Sequence, residues 1–213
     1  MKRTTDGLIA QLANDLQPVR PLRWRAGMAL ALAAFAMAAL AVVAVRGLSE
    51  GVAHGHVSAF FVVANGLLLL LGLAGASAVI AMASPNVGAQ HQGPKWALAM
   101  VMVLPVAAAF ALLGSGSADH SIGGLHAVYC IALSLATAAL VAAALVVWLR
   151  QGAPVSAPAA GLYTGIAAGA LGSVAYGLSC PVDTIAHLGI AHVVPVALAG
   201  AVGRIALPAF LRW

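Results

Sequence analysis

The chain has 213 residues, of which 63% are hydrophobic and only 7% charged, and its mean hydropathy is +1.03. A water-soluble domain of this length needs far more charge to cover its surface, so lipid is the main solvent. The net charge of +5 sits on cations beside apolar runs, without a basic run or an aromatic stacking motif, which argues against direct contact with nucleic acid.

Lipid cannot satisfy open backbone groups, so the choice lies between helices of ~20 residues and a closed barrel. The alternating ~10-residue strands of a barrel are absent. Residues 1–25 are mostly polar, and the apolar run after them is long enough to be a span rather than a secretory signal. In chain order, six apolar stretches follow: residues 26–45, 57–83, 96–113, 125–149, 162–178 and 188–207. The separators carry turn signals at Ser84-Pro85-Asn86, Gly114-Ser115-Gly116-Ser117, Gly152-Ala153-Pro154 and Cys180-Pro181. Pro105 and Pro195 predict kinks in the third and sixth spans. The expectation is an all-α integral membrane protein: a six-transmembrane-helix bundle over residues 26–213, preceded by a cytoplasmic tail over residues 1–25 with a short amphipathic helix.

Six crossings place both termini on one side, and the cations say which. Lys2, Arg3, Arg20, Arg23, Arg25, Lys95, Arg150, Arg204 and Arg212 fall on one face, and only Arg46 on the other. By the positive-inside rule both termini are expected to be cytoplasmic. The opposite, periplasmic face collects Glu50, Asp119 and Asp183, with His54, His56, His120, His126, His187 and His192 at or near it. Only His91 falls in a cytoplasmic loop. Cys130 is expected one to two turns inside the fourth span and Cys180 in the last outer loop. Gly161, Gly165 and Gly169 recur every four residues on the fifth span, lining one face where a neighbouring backbone can come close.

In the tail, Thr5 can cap a short helix that Pro18 ends, with Leu8, Ile9, Leu12 and Leu16 on one face and Asp6, Gln11, Asn14 and Asp15 making the other polar. A helix of about three turns is marginal alone in water and needs a partner. Lipid-surface helices usually carry basic residues on the polar face, whereas this one carries Asp6 and Asp15, which favours a protein groove.

The stretch Thr5-Asp6-Gly7-Leu8-Ile9-Ala10-Gln11-Leu12-Ala13-Asn14-Asp15, followed by Gln17-Pro18-Val19, resembles the opening of the NrsF-like family, bacterial membrane-bound anti-sigma factors also called negative regulators of sigma F. Gly172-Ser173-Val174-Ala175-Tyr176-Gly177-Leu178-Ser179-Cys180-Pro181, the closing Leu211-Arg212-Trp213, and Cys130 with Leu133-Ser134 extend the resemblance along the chain. The pattern departs at Ser179, where His is frequent, and at Ile131, where Pro is common. The resemblance implies a regulator rather than an enzyme. Its tail would hold an extracytoplasmic-function sigma factor at the membrane. Helical spacing names Leu8, Ile9, Leu12 and Leu16 as the anchors, with Asp6 and Asp15 available to basic surface on the partner. The resemblance also implies that the pair Cys130 and Cys180 senses heavy-metal or oxidant stress.

Periplasmic cysteines meet an oxidising compartment, so a disulfide between Cys130 and Cys180 is chemically permitted. Free thiols near histidines instead suit a soft metal ion. His126 and Cys130 share a helix face at a spacing of four, and Asp183 and His187 do so if the last loop begins helically. The candidate metal ligands are therefore Cys130, Cys180, His126, His187 and Asp183, with a heavy-metal ion as signal and no resident cofactor required. Two other classes stay open. A small transporter would place ionisable groups near the midplane, where the spans hold only Asn65 and Thr137 besides the two prolines. A haem-binding protein would need facing axial histidines, which His126 and His192 could supply. A thiol oxidoreductase would want a Cys-x-x-Cys pair, and a hydrolase a nucleophile–base–acid set; neither is visible.

Overall fold

The computed structural model describes residues 5–14, 21–85, 88, 92–115 and 124–211. Among these residues the fold is all-helical: α1 (Thr5–Asn14), α2 (Trp24–Arg46), α3 (Glu50–Ala53), α4 (Ala59–Met82), α5 (Gln92–Val101), α6 (Val103–Ser115), α7 (Leu125–Leu149), α8 (Ala157–Gly177), α9 (Ile185–Ala191) and α10 (Val194–Phe210). Five helices are long and apolar enough to cross a membrane: Trp24–Arg46, Ala59–Met82, Gln92–Gly114, Leu125–Leu149 and Ile185–Phe210. Large apolar side chains such as Leu40, Val45, Phe110, Leu113 and Ile205 stand exposed on them, as a lipid-facing surface requires.

Two of these five are interrupted where proline dictates. α5 gives way to α6 at Met102, one turn before Pro105, whose ring cannot donate to the carbonyl four residues back. α9 stops at Ala191, and α10 restarts at Val194 with Pro195 in its first turn. The kinks expected at Pro105 and Pro195 coincide with short interruptions of the helix, at Met102 and at His192 and Val193.

The fifth expected span, residues 162–178, corresponds to α8, which is not among the five apolar helices found in the described residues. Its 21 residues are dominated by Gly and Ala, and 16 of them are buried. α8 packs against α4, α7 and α10, so its neighbours are protein rather than lipid, and side-chain size matters there more than apolarity. A Cβ on Gly161 or Gly165 would fall on the carbonyl oxygen of Gly203 or Ala199, and one on Gly169 would lie 2.7 Å from Val196 Cα. The three-glycine face thus has one specific partner, α10. On its other sides, Gly172 seats α8 against Ser134 and Ala138 of α7, while Gly72 and Gly75 of α4 oppose Leu171 and Ala167. The bundle is tied elsewhere by Thr137 Oγ1 donating to Gly172 O at 3.0 Å and Trp148 Nε1 donating to Ile80 O at 3.3 Å.

α1 has no buried residue, and Leu8, Ile9 and Leu12 are all exposed. The end of the bundle nearest this helix in the chain gathers Arg23, Trp148 and Gln151 around one cavity.

Replacing Gly165 by Ala should cost about 1–3 kcal/mol, because the added methyl has a backbone carbonyl in its place and helices cannot part without losing contacts. Thermal unfolding in detergent should show this loss. The Gly66→Ala protein, whose added methyl meets nothing within 4 Å, should melt as the parent does.

Candidate thiol and metal centre

Two helices and the turn between α8 and α9 assemble the centre. α7 stacks His126 and Cys130 one turn apart on one face. Beyond α8, Ser179 N donates to Tyr176 O at 2.9 Å and Cys180 N to Gly177 O at 3.3 Å, so the chain folds back tightly and carries Cys180 over the helix end. Thr184 then caps α9 by accepting from His187 N at 3.2 Å, which turns His187 inward. Val42 of α2, Ala127 of α7, Tyr176 and Ala191 close the apolar shell around the two cysteines.

Both cysteines are free and buried. Cys130 Sγ lies 3.8 Å from Cys180 Sγ and donates to the Tyr176 hydroxyl at 3.7 Å. Cys180 Sγ lies 3.5 Å from His187 Nε2 and 3.8 Å from Val182 O. The contact with the Cys130 sulfur first, and burial second, push the Cys180 thiol above its ordinary range. The imidazoles extend the group: the ring centres of His126 and His192 each lie 5.7 Å from that of His187, and His192 stacks on Tyr176 at 6.3 Å. One ligand atom from each of His126, Cys130, Cys180 and His187 falls within 4.8 Å of all the others.

Asp183 stands apart from this group. Its carboxylate accepts from Ser58 N at 2.7 Å and Ser58 Oγ at 2.6 Å, while the same Ser58 hydroxyl caps α4 by accepting from Phe61 N. The helical relation expected of Asp183 and His187 does not form, because α9 begins two residues after Asp183. Asp183, Glu50, His56 and Arg46 line an open cavity of about 530 Å³ whose wall includes Cys180. His54 is exposed beside it. In the tail, Asp6, Leu8, Ile9 and Leu12 lie on α1, whereas Asp15 and Leu16, like His91, Asp119 and His120, lie outside the described residues.

Tyr176 and Ser58 are the members that residue-by-residue reading leaves unassigned, and His192 enters it only as a candidate haem ligand. Tyr176 precedes Cys180 by one helical turn, a local signal that names no role. His192 is 1% exposed, and its Nδ1 lies 3.3 Å from Ser173 O.

The chemistry open to such a group is limited. Two thiols can be oxidised to a disulfide, passing two protons and two electrons to an oxidant such as a peroxide, but the sulfurs must first close from 3.8 Å to a bond of ~2.05 Å. Thiolates and neutral imidazoles can alternatively share a soft cation.

Fold and site together define a helical protein of membrane-spanning type that buries a thiol–imidazole centre at one end of its bundle and leaves a short amphipathic helix exposed. No curated protein and no solved structure matches the chain. The chain belongs to the NrsF family, negative regulator of sigma F, which matches residues 12–213. Membership implies negative regulation of a sigma factor, with a sigma factor as partner. That is a regulatory class and not a class of enzyme.

Removing the Asp183 carboxylate should loosen the α3–α4 and α8–α9 connections together. Asp183→Ala is expected to lower stability by about 1.5–3 kcal/mol in detergent melts, the range for hydrogen bonds to a charged group. Counting free thiols with a disulfide reagent in the unfolded protein should still give two.

Proposed function

We propose that the protein is a membrane-bound anti-sigma factor that holds an extracytoplasmic-function sigma factor through residues 1–25 and releases it when a periplasmic heavy-metal or oxidative signal reaches Cys130 and Cys180. The observation that carries this reading is the buried pair of sulfurs 3.8 Å apart, contributed by α7 and by the α8–α9 turn, in a chain of the sigma-regulating family. Leu8, Ile9 and Leu12 on α1, with Leu16, are the anchors, and Asp6 and Asp15 meet basic surface on the sigma factor.

α8 is the remaining crossing, the fifth in chain order, packed against α2, α4, α7 and α10, and both ends are cytoplasmic. Nine of ten cations then lie inside, and Arg46 shares the outer cavity with Cys180. The link from sensor to tail is α2. Ser179 Oγ donates to Gly47 O at 2.5 Å and Ser49 N donates to Leu178 O at 3.0 Å, so the end of α2 is fastened to the turn that carries Cys180. Val42, one turn further in, packs against the cysteine cluster. Capture of the signal ties α7 to the α8–α9 turn, shifts that turn against α2, and changes how the tail is presented at the other end. The signal must favour one of two discrete packings for this to work.

Co-purification with the sigma factors of the cell tests the reading. Deleting residues 1–20 should abolish retention. Leu12→Asp should weaken it at least tenfold, since burying one leucine is worth about 1.5–3 kcal/mol. Retention that survives the deletion places the interface elsewhere. The Cys130→Ser, Cys180→Ser double variant should hold sigma normally and ignore every inducer, and a normal response from it removes the sensor. A reporter fused after Trp213 should be active in the cytoplasm.

A further inference from the structure

We propose that His126, Cys130, Cys180 and His187 are the four ligands of a closed tetrahedral site for a zinc-class divalent cation, Zn²⁺ or Cd²⁺. This deepens the sensor reading and rests on it in one respect, that these thiols meet the signal. It commits to a captured ion held by two imidazoles as well as two thiolates.

The spacing of the donors favours an ion over a disulfide. Two thiolates on one tetrahedral centre, each at ~2.3 Å, stand ~3.8 Å apart, and a thiolate and an imidazole nitrogen stand ~3.6 Å apart. The separations found are 3.8 Å for Cys130 and Cys180 and 3.5 Å for Cys180 and His187. The widest pair in the group is 4.8 Å, so the cradle is about 1 Å more open than a bound ion would leave it. His126 supplies a second, independent observation: its Nε2 is buried without any hydrogen-bond partner. A buried polar atom with no protein partner is costly unless it is met by something the site binds.

Donor type selects the ion. Sulfur and imidazole suit zinc-class cations, whereas magnesium and calcium need oxygen ligands, and the carboxylate of Asp183 is committed to Ser58. Two thiolates balance the charge of a divalent ion, so the filled site is neutral in a region where Cys130, Cys180 and His187 are buried. On binding, the two S–H protons leave to solvent and four metal–ligand bonds form, with no change in oxidation state. The ion would join α7, the α8–α9 turn and α9, one more element than a disulfide could.

The test uses the full chain in detergent under a non-thiol reductant, titrated with Co²⁺ as a spectroscopic probe and then with Zn²⁺ and Cd²⁺. One ion per chain is expected, with intense tetrahedral cobalt bands and sulfur-to-cobalt charge transfer. The charge transfer should vanish in Cys130→Ser, Cys180→Ser. His126→Gln and His187→Asn should each weaken Cd²⁺ binding at least about tenfold, and Asp183→Asn should leave it unchanged. X-ray absorption on the wild-type zinc complex counts the ligands without any variant, so a misfolded variant does not decide the matter. Two sulfurs and two nitrogens support the site, while a sulfur-only or oxygen-rich shell, no binding by the reduced protein, or unaltered affinity in both histidine variants overturns it. Sigma retention measured on the same preparations separates this from the anti-sigma reading. Tail-dependent retention without metal binding leaves that reading standing, and lost retention with intact metal binding leaves the site standing.

Discussion

Contact between backbones, rather than between large side chains, sets the geometry of this bundle. In lipid there is no hydrophobic force drawing one apolar helix to another, so association depends on close van der Waals approach and interhelical hydrogen bonds. α8 achieves that approach on three sides, meeting Gly203 and Ala199 of α10, Ser134 of α7 and the glycines of α4 at distances a side chain would forbid. Each neighbour is thereby indexed to one rigid axis. The heights of Tyr176 and of the turn holding Cys180 follow from that axis, and so does their register against Cys130 on α7. A small slip of α8 along α7 would separate the two sulfurs.

The centre lies where this tight packing gives way. Beyond Gly177 the chain leaves regular helix, the last apolar stretch is broken around His192 and Val193, and the third is broken at Met102. Leu104 and Ala108 of α6 pack on Gly189 of α9, so the two broken stretches touch one another. Packed interiors move between discrete arrangements rather than deforming smoothly, and short segments between breaks are the parts able to do so. A ligand that bridges α7 to this end would act on short segments fastened to α2 by the strap at Gly47 and Ser49. The proposed transmission needs no movement of α8.

The distribution of polar groups fits the same division. At one end the cavity beside Cys180 is lined by Glu50, His56, Asp183 and Arg46, whereas the cavity at the start of α2 holds Arg23 beside Trp148 and Gln151. α1, with its apolar face uncovered, precedes the second of these. The thiol–imidazole centre and the cavity at Arg23 are thus set at opposite ends of one 23-residue helix, a length of about 34 Å at 1.5 Å per residue.

Much of this was legible in the chain itself. Apolar run length identifies α2, α4, α7 and the two broken stretches, since each must be long and oily enough to stand in lipid. Pro105 and Pro195 mark the breaks, because a missing N–H acts on the adjacent turn. The four-residue glycine spacing announces a close helix partner, and residue type alone singles out cysteines and histidines as the groups with chemistry. Tertiary structure decided the rest. It made α10 the partner of the glycines and buried α8, whose small residues let neighbouring helices come close. It turned Asp183 to Ser58, and it chose His126 and His187 over His54 and His56. Those choices join residues 50 positions apart, as with Cys130 and Cys180, through contacts that no local period or propensity encodes.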